Sequence, residues 1–195
     1  MQRSPRTATR ERILDAALEV FARKGYHRAI VDDIVRASHT SKGAVYHHFP
    51  NKEAIVLALV DDFAARLAGS VAAAIAEQHG ALAKVECALT AALATFGADE
   101  RLARLILLEP VSLGPAYQAK RAEVADRFAA LIQSHLDEAV ADGSIAPLDT
   151  RVATLAWLGA VNEIVVQWLH GTLEMSAAIP ALTRVLLRSI GARER

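Results

Sequence analysis

Apolar residues recur at three- and four-residue intervals along most of the chain, and no run alternates in the way that a half-buried strand would. Ile13, Ala17 and Phe21 form one such row, which predicts an amphipathic first helix. We place this helix at residues 10–24, with Gly25 as its C-cap. The pattern as a whole predicts an all-α protein.

A second stretch, Val31 to Glu53, contains two short predicted helices separated by a polar turn. Ser38-His39-Thr40 interrupts the apolar pattern, and Ser41 stands where an N-cap would satisfy the open N–H groups of a new helix. That new helix is predicted at Lys42 to Phe49. The arrangement is typical of a helix-turn-helix, in which the second helix enters a groove of DNA.

The residues of this second helix suit a DNA groove. Lysine neutralises phosphate or donates to guanine, glycine lets backbone N–H groups approach phosphate, and tyrosine and histidine donate to the sugar-phosphate backbone. Val45 and Phe49 are four residues apart and can share the inward face. The candidate outward residues are Lys42, Gly43, Ala44, Tyr46 and His47.

About forty residues, from Leu14 to Glu53, resemble the DNA-binding domain of the TetR family of bacterial transcriptional regulators. The matching letters are I-L-D-A-A-L-E-V-F-A-R-K-G-Y, then Asp33-Ile34, then S-K-G-A-V-Y-H-H-F-P-N-K-E. The resemblance implies that Tyr46, His48 and Lys52 touch the DNA backbone. The full set of predicted DNA contacts is Ser41, Lys42, Gly43, Ala44, Tyr46, His47, His48 and Lys52.

The resemblance also implies an architecture and a mode of action. It predicts a helix-turn-helix domain with three helices at residues 1–52, and a helical domain for ligand binding and dimerisation at residues 53–195. A long helix, Asn51 to Ala76, would join the two domains and transmit ligand binding to the DNA. The expected protein is a homodimeric repressor that binds an inverted-repeat operator and is released by a small molecule.

Three positions depart from the family pattern. Ile30 stands where threonine is usual and cannot cap the second helix, although Asp32 or Asp33 can partly compensate through the helix dipole. His39 replaces the turn glycine, and histidine tolerates a left-handed conformation better than most residues. Ala44 replaces a threonine, which removes one hydroxyl contact. These three changes alter the expected preference for an operator sequence more than they weaken the resemblance to the family.

Charge is unevenly distributed, although the 195-residue chain has a formal net charge of zero. Residues 1–52 hold ten Lys/Arg against five Asp/Glu, whereas residues 53–195 hold twelve against seventeen. A basic head on an acidic body fits a protein that binds nucleic acid at one end. Arg3 and Arg6 precede the predicted first helix, either in a frayed terminus or in an arm that reaches DNA.

The composition argues against secretion and membrane insertion. The single cysteine excludes an intrachain disulfide and fits a reducing compartment. Neither a secretory signal nor an uninterrupted apolar run of about 18 residues is visible. The nearest such run, Ala153 to Val166, is broken by Asn162 and Glu163. We therefore expect a cytoplasmic protein with no membrane partner.

Catalytic and metal-binding patterns are weak. His47-His48 lacks a third ligand at helical spacing and the zinc pattern H-E-x-x-H is absent, so phosphate contact is preferred to metal. Asp61 and Asp62 point about 100° apart on a helix and are interpreted as a solvated face. Cys87 is interpreted as a buried, inert thiol rather than a redox sensor. With neither a Gly-x-Ser-x-Gly elbow nor a Gly-rich nucleotide loop, we predict no enzyme, metal or cofactor.

The body is predicted to contain helices only. Their ranges are Leu82–Phe96, Arg101–Leu108, Ala116–Val140, Thr150–His170 and Ile179–Ile190. Asn162, Glu163 and Gln167 interrupt the apolar helix near residue 160, where polar groups are costly unless they meet a ligand or a partner subunit. Both interpretations stay open. The last two helices are expected to pack against their copies in a dimer.

A mostly apolar ligand is expected within the body, because apolar residues on successive helices can surround one cavity. The predicted ligand-binding residues are Phe96, Tyr117, Trp157, Asn162, Glu163 and Gln167. Two other classes of protein remain open: an architectural DNA-binding protein without a ligand, and a small helical enzyme. The first would need no sizeable apolar body, and the second would need convergent titratable groups.

Overall fold

The computed structural model describes residues 5–108 and 114–191, and within these two segments the only regular structure is helical. The helices are α1 (Pro5–Lys24), α2 (Val31–Ser38), α3 (Lys42–His48), α4 (Lys52–Ala76), α5 (Ala81–Gly97), α6 (Glu100–Leu108), α7 (Pro115–Ala141), α8 (Thr150–Leu169) and α9 (Met175–Ser189). The all-α prediction is confirmed, and the helices fall close to the predicted positions.

Two helices begin four or five residues earlier than the apolar pattern predicts. α1 begins at Pro5 rather than Arg10, since proline has the backbone angle of a first helical turn and needs no hydrogen-bond acceptor there. Arg6 is therefore a helical residue, while Arg3 lies outside the described residues. α9 begins at Met175 and contains Pro180, which breaks only one backbone hydrogen bond and does not end the helix.

The first hydrophobic core joins the head to the body. It contains Phe21 of α1, Ile34 of α2 and Val45 of α3, together with Phe63 of α4. The same cluster continues to Tyr117 of α7, whose side chain is fully buried. Packing between the head and the helices behind it is therefore continuous, and α4 lies between the two.

The second core lies between α5, α7, α8 and α9. Leu93, Leu136 and Trp157 are among its most buried members, and Leu182 and Leu186 contribute from α9. α9 packs against α5 and α8, so the last helix is part of this chain's own core as well as of its surface.

α8 also carries apolar surface that the described part of the chain leaves uncovered. By length and composition alone α8 could cross a membrane, as could α5 and α6 together despite a 98° bend between them. Only 22% of the apolar window of α8 is buried, and Val152 and Leu155 on this helix are 60% and 57% exposed.

Candidate nucleic-acid interface

α3 is set in place by a turn that contains no glycine. His39 adopts the left-handed conformation, with φ 52° and ψ 38°, as the sequence predicts for the position of the missing glycine. The His39 N–H donates to Arg36 O over 3.3 Å, and the Thr40 N–H donates to Val35 O over 3.3 Å. Ser41 then caps α3, because its Oγ accepts from the Ala44 N–H at 3.1 Å.

α3 has one buried face and one exposed face. Val45 is fully buried and Phe49 is 4% exposed, as their spacing predicts. Phe49 ends the helix in extended conformation, which is expected of a residue that precedes proline. On the other face the side chains of the predicted DNA contacts Lys42, Tyr46 and His47 are exposed, whereas Ala44 and His48 are half-buried at its edge.

Gly43 lies in the first turn of α3, and the packing within the protein does not require a glycine at this position. Its φ is not positive, and a Cβ added there would meet only Ser41 Oγ, at an ordinary 3.9 Å. Alanine would therefore fit and would favour the helix. A residue without a side chain is useful here if another molecule must approach the backbone closely.

Lys42 is paired, but only at the surface. Its Nζ lies 2.8 Å from Asp32 Oδ1, and the two side chains are 60% and 53% exposed. The hydrogen bond to Asp32 raises the pKa of Lys42, so the ammonium stays charged. Exposed pairs of this kind are worth little, and a phosphate can compete for the lysine.

The start of α1 lies beside α3. Arg6 Nη2 is 2.9 Å from His47 Nε2, and the Arg10 guanidinium lies 5.8 Å from the centroid of the Phe49 ring. The pKa of His48 is lowered mainly by its partial burial. The nearby charges of His47, Arg6 and Arg10 lower it further. Near neutral pH His48 is therefore a neutral hydrogen-bonding group rather than a cation. Proline favours the first position of a helix. Pro5 is therefore the sequence signal from which Arg6 could have been placed in the first turn of α1, beside α3.

Lys52 differs from the other predicted DNA contacts, because its donors are used inside the protein. Its Nζ donates to the carbonyls of Tyr26 at 2.6 Å, Ala29 at 2.9 Å and His27 at 3.4 Å. The ammonium also lies 4.2 Å from the centroid of the Tyr26 ring, and burial lowers the pKa of Lys52. Lys52 thus fastens the start of α4 to the α1–α2 loop.

The start of α2 is held by Asp33 in place of the missing threonine cap. Asp33 Oδ2 accepts from the Ile30 N–H at 3.2 Å, and the Asp33 N–H donates to Ile30 O at 3.0 Å. The pKa of Asp33 is lowered to about 2, mainly by the Lys24 ammonium, which lies 2.7 Å from Asp33 Oδ1. The Ile30 N–H and Arg36 lower it further. Ile30 itself is 57% exposed and makes no side-chain cap.

Asp61 and Asp62 lie at the surface, as the interpretation of a solvated face expects, with side chains 56% and 41% exposed, and each also pairs with a basic residue of another helix. Asp62 accepts from Arg10 of α1 through both oxygens, at 3.0 and 3.2 Å. Asp61 Oδ1 lies 3.3 Å from Lys120 Nζ of α7. The 100° between neighbouring residues therefore directs one carboxylate to the head and the other to the body. Cys87 is half-buried rather than fully buried.

The three aromatic residues predicted to bind ligand belong to the cores. Tyr117 is fully buried and donates its hydroxyl to Ile106 O at 2.5 Å. Trp157 is 2% exposed, and its Nε1 donates to Ser189 Oγ at 3.3 Å. The ring of Phe96 packs against Phe63, with centroids 4.8 Å apart.

The three polar residues predicted to bind ligand have partners within the chain. Asn162 Oδ1 accepts from Arg121 Nη2 at 3.3 Å. Gln167 Nε2 donates to Glu163 Oε1 at 2.7 Å, and Gln167 Oε1 accepts from Thr172 at 2.8 Å. The polar groups that the sequence leaves unexplained in this apolar helix thus have partners in α7, in α8 itself and at Thr172, just after the end of α8.

Two cavities are prominent in the described structure. One, of about 830 Å³, lies between the start of α5 and α9, and the other, of about 510 Å³, lies between α1 and α2. None of the six predicted ligand-binding residues lines either cavity. The predicted ligand site therefore stays a prediction. Across residues 5–108 and 114–191, no group of three or more His, Cys, Asp or Glu could hold a metal ion.

α3 is a capped helix with one buried and one exposed face, and it belongs to the basic N-terminal part of the chain. This is the arrangement of a helix-turn-helix DNA-binding protein. Residues 13–59 match the model of the bacterial regulatory proteins of the tetR family. Residues 78–190 match the tetracyclin repressor-like C-terminal domain. The chain therefore belongs to the TetR family of bacterial transcriptional regulators.

Relatives by sequence are regulators rather than enzymes. The fatty acid metabolism regulator protein of Bacillus subtilis (strain 168) is 27% identical over 157 residues, which cover 80% of this chain and 81% of that protein. The HTH-type transcriptional repressor AcnR of Corynebacterium efficiens is 43% identical over 63 residues. That second match covers only 32% of this chain and 34% of AcnR.

Solved structures share the fold over nearly the whole chain. The fatty acid degradation regulator FadR from Bacillus halodurans has a TM-score of 0.83 and 26% identity, with 96% of this chain and 97% of that chain covered. FadR from Bacillus subtilis, in complex with stearoyl-CoA, also has a TM-score of 0.83, at 24% identity, with 94% of this chain and 99% of that chain covered. At that identity the second likeness shows the fold alone.

Proposed function

We propose that the protein is a cytoplasmic, homodimeric repressor that binds an inverted-repeat operator and is released from it by a mostly apolar small molecule. The observation that carries the proposal is the exposed polar face of α3 on a basic head. Its side chains are free of the core, while Val45 and Phe49 anchor the opposite face. Such a helix can enter a major groove without unfolding any packing.

The contacts within this surface differ in kind. Lys42, Tyr46 and His47 are exposed and can reach phosphate or base edges, and Gly43 allows close backbone approach. Ser41, Ala44 and His48 form the edge of the surface. Lys52 acts mainly from within, by holding the loop before α2, because its donors already meet three carbonyls.

Dimerisation through α8 and α9 is supported by apolar side chains that face outward on both helices. Val152 and Leu155 on α8 and Val185 on α9 are between 57% and 62% exposed. Val165 and Leu182, on the same two helices, are instead buried in this chain's own core. A second copy is the partner we propose for this surface, because symmetric pairing places two recognition helices one DNA turn apart.

Long-chain acyl-CoA is the ligand class that we propose to test first. The Bacillus subtilis FadR structure contains stearoyl-CoA, and the Bacillus subtilis fatty acid metabolism regulator resembles this chain over four fifths of its length. An apolar acyl chain would suit the aliphatic and aromatic interior of the body. Ligand binding would act on DNA through α4, which Asp62 ties to α1 and Asp61 ties to α7.

The test begins by selecting DNA from a random library with the purified protein. We expect enrichment of an inverted repeat, a dimer in sedimentation analysis, and loss of operator binding when stearoyl-CoA is added. A tenfold loss corresponds to about 1.4 kcal/mol of coupling between the two sites. Coenzyme A without an acyl chain is the matched control and should release no DNA.

The outcomes separate the parts of the proposal. Failure to enrich any sequence would contradict operator binding, and a monomer at micromolar concentration would contradict the dimer. Operator binding that stearoyl-CoA leaves unchanged would reject the acyl-CoA class alone. A screen of other apolar ligands against the same DNA would then decide whether the protein responds to a ligand.

A further inference from the structure

Asp32, in the first turn of α2, contacts the first residue of the recognition helix α3. Its Oδ1 lies 2.8 Å from Lys42 Nζ. We propose that Asp32 is a specificity-determining residue, which positions the Lys42 ammonium to read a guanine in the operator and draws it away from phosphate. This role rests on the operator binding proposed above, and it concerns which DNA the protein prefers.

The start of α2 does not depend on Asp32. Asp33, the next residue, accepts from the Ile30 N–H at 3.2 Å and so holds the first turn. The side chain of Asp33 is only 5% exposed, whereas that of Asp32 is 53% exposed. A carboxylate in a first turn also favours the helix dipole, and Asp33 supplies one. Asp32 is therefore available to act on the DNA-binding surface.

The pair with Asp32 leaves Lys42 able to read a base. An ammonium has three N–H donors, and a hydrogen bond to Asp32 uses one of them. Two remain, which is the number that a bidentate contact with O6 and N7 of one guanine requires. The N-terminal residues of a recognition helix are the ones that contact base edges, and Lys42 is the first residue of α3. Lys52, in contrast, already donates to three carbonyls.

Contact with a phosphate would instead require Lys42 to leave Asp32. Binding to DNA without the operator sequence depends mainly on cations that reach phosphates. A Lys42 that did so would leave an exposed carboxylate unpaired beside the DNA, which is unfavourable. Because exposed ion pairs are weak, the effect is at most about fivefold in affinity. Asp32 therefore disfavours random DNA while it leaves the guanine contact intact.

The first experiment selects DNA from a random library with the wild type, Asp32→Ala, Asp32→Glu and Lys42→Ala. We expect the wild type to enrich a guanine in each half-site that Lys42→Ala no longer selects. Asp32→Ala should lose the same preference although its lysine is present. Asp32→Glu keeps a carboxylate and should retain most of the preference. Circular dichroism should show that Asp32→Ala is folded, because Asp33 holds the start of α2.

The second experiment measures affinity for a random duplex over a range of salt concentrations. Asp32→Ala should bind this duplex about twofold to fivefold more tightly than the wild type. The slope of log affinity against log salt should steepen by about 1, because Lys42 then neutralises a phosphate. Asp15→Ala is the matched control, since it removes the same charge from an exposed position of α1. It should keep the selected guanine and the slope of the wild type.

Three results would overturn this role for Asp32 alone. These are a guanine preference that Asp32→Ala retains, an affinity of Asp32→Ala for the random duplex that does not rise, and the same changes in Asp15→Ala. A preference that Lys42→Ala leaves intact would overturn it too, because this lysine would not read the base. A wild type that enriches no sequence would contradict operator binding itself, which is a different result from an operator whose guanine does not depend on Asp32.

Discussion

The head, α1 to α3, and the body, α5 to α9, use their polar side chains differently. In the head the polar residues divide into two groups: Asp33 and Lys52 hold the fold from within, while Lys42 and Tyr46 remain available outside. In the body Glu163 and Gln167 of α8 pair with each other, and the outward surface of this helix is apolar at Leu155. The head is therefore organised for a charged partner and the body for an apolar one.

This difference explains why a local motif indicates the partner of the head but not that of the body. A recognition surface on a seven-residue helix is contained in contiguous sequence. The apolar surface and cavity of the body are formed by helices that lie far apart in the chain. Five substitutions test the comparison, from the largest expected effect to the smallest.

Leu155→Glu should have the largest effect, because it would bury an unpaired carboxylate from each chain in the proposed α8–α9 dimer surface. We expect the dimer dissociation constant to rise at least about 100-fold, and operator affinity to fall with it. Sedimentation analysis measures the first quantity. Ala125→Glu, on an exposed position of α7, is the control and should remain a dimer. A Leu155→Glu variant that dimerises like the wild type would place the interface elsewhere.

Lys52→Met should destabilise the head, because it leaves the carbonyls of Tyr26 and Ala29 without their ammonium donor. The expected loss is roughly 1–3 kcal/mol of unfolding free energy. Operator affinity should fall as well, but the slope of log affinity against log salt should not change. A direct phosphate contact, as the family resemblance implies for this residue, would instead lower the slope by about 1.

Lys42→Ala should behave in the opposite way to Lys52→Met. Stability should change little, because the surface pair with Asp32 is exposed on both sides. The salt slope should fall by about 1 if the lysine neutralises a phosphate, and base preference should relax if it also donates to guanine. Lys84→Ala in the body is the control with an unchanged slope. Binding that is unaltered by Lys42→Ala would remove this lysine from the interface.

Gly43→Ala should separate folding from DNA binding. The added Cβ fits, so the helix should gain up to about 1 kcal/mol of stability, while the methyl group should hinder approach to DNA and lower operator affinity. Gly69→Ala on α4 is a matched control, since an added Cβ there meets nothing within 4 Å. It should gain similar stability without any loss of affinity. Equal affinity in both variants would contradict close approach at Gly43.

Ile30→Thr should have the smallest effect, a gain of about 0.5–1 kcal/mol in unfolding free energy. Ile30 has extended backbone angles of φ −115° and ψ 157°, which suit an N-cap, and 57% of its surface is exposed, so little packing is lost. Denaturant unfolding monitored by circular dichroism measures the gain. No gain would indicate that Asp33 already satisfies the start of α2.

The sequence predicted the fold and the recognition helix because both depend on local signals. Helical spacing, the Ser41 cap and the position of His39 act within a few residues, and the structure confirms them. The inward role of Lys52 was not predictable, because its acceptors lie 23 to 26 residues earlier in the chain. The same limit applies to Asn162, whose partner Arg121 is 41 residues away.

If α4 transmits ligand binding to the head as proposed, Asp61 and Asp62 would be the point about which this helix pivots. Asp61 is nine steps from the start of α4 at Lys52 and fifteen from its end at Ala76, which gives lever arms of about 14 and 22 Å. If α4 tilts about Asp61 and Asp62, a displacement of about 4 Å at Ala76 corresponds to a displacement of roughly 2.5 Å at Lys52. Because the four side chains of these ion pairs are between 25% and 56% exposed, high salt would weaken both pairs and, with them, the coupling proposed between ligand and DNA.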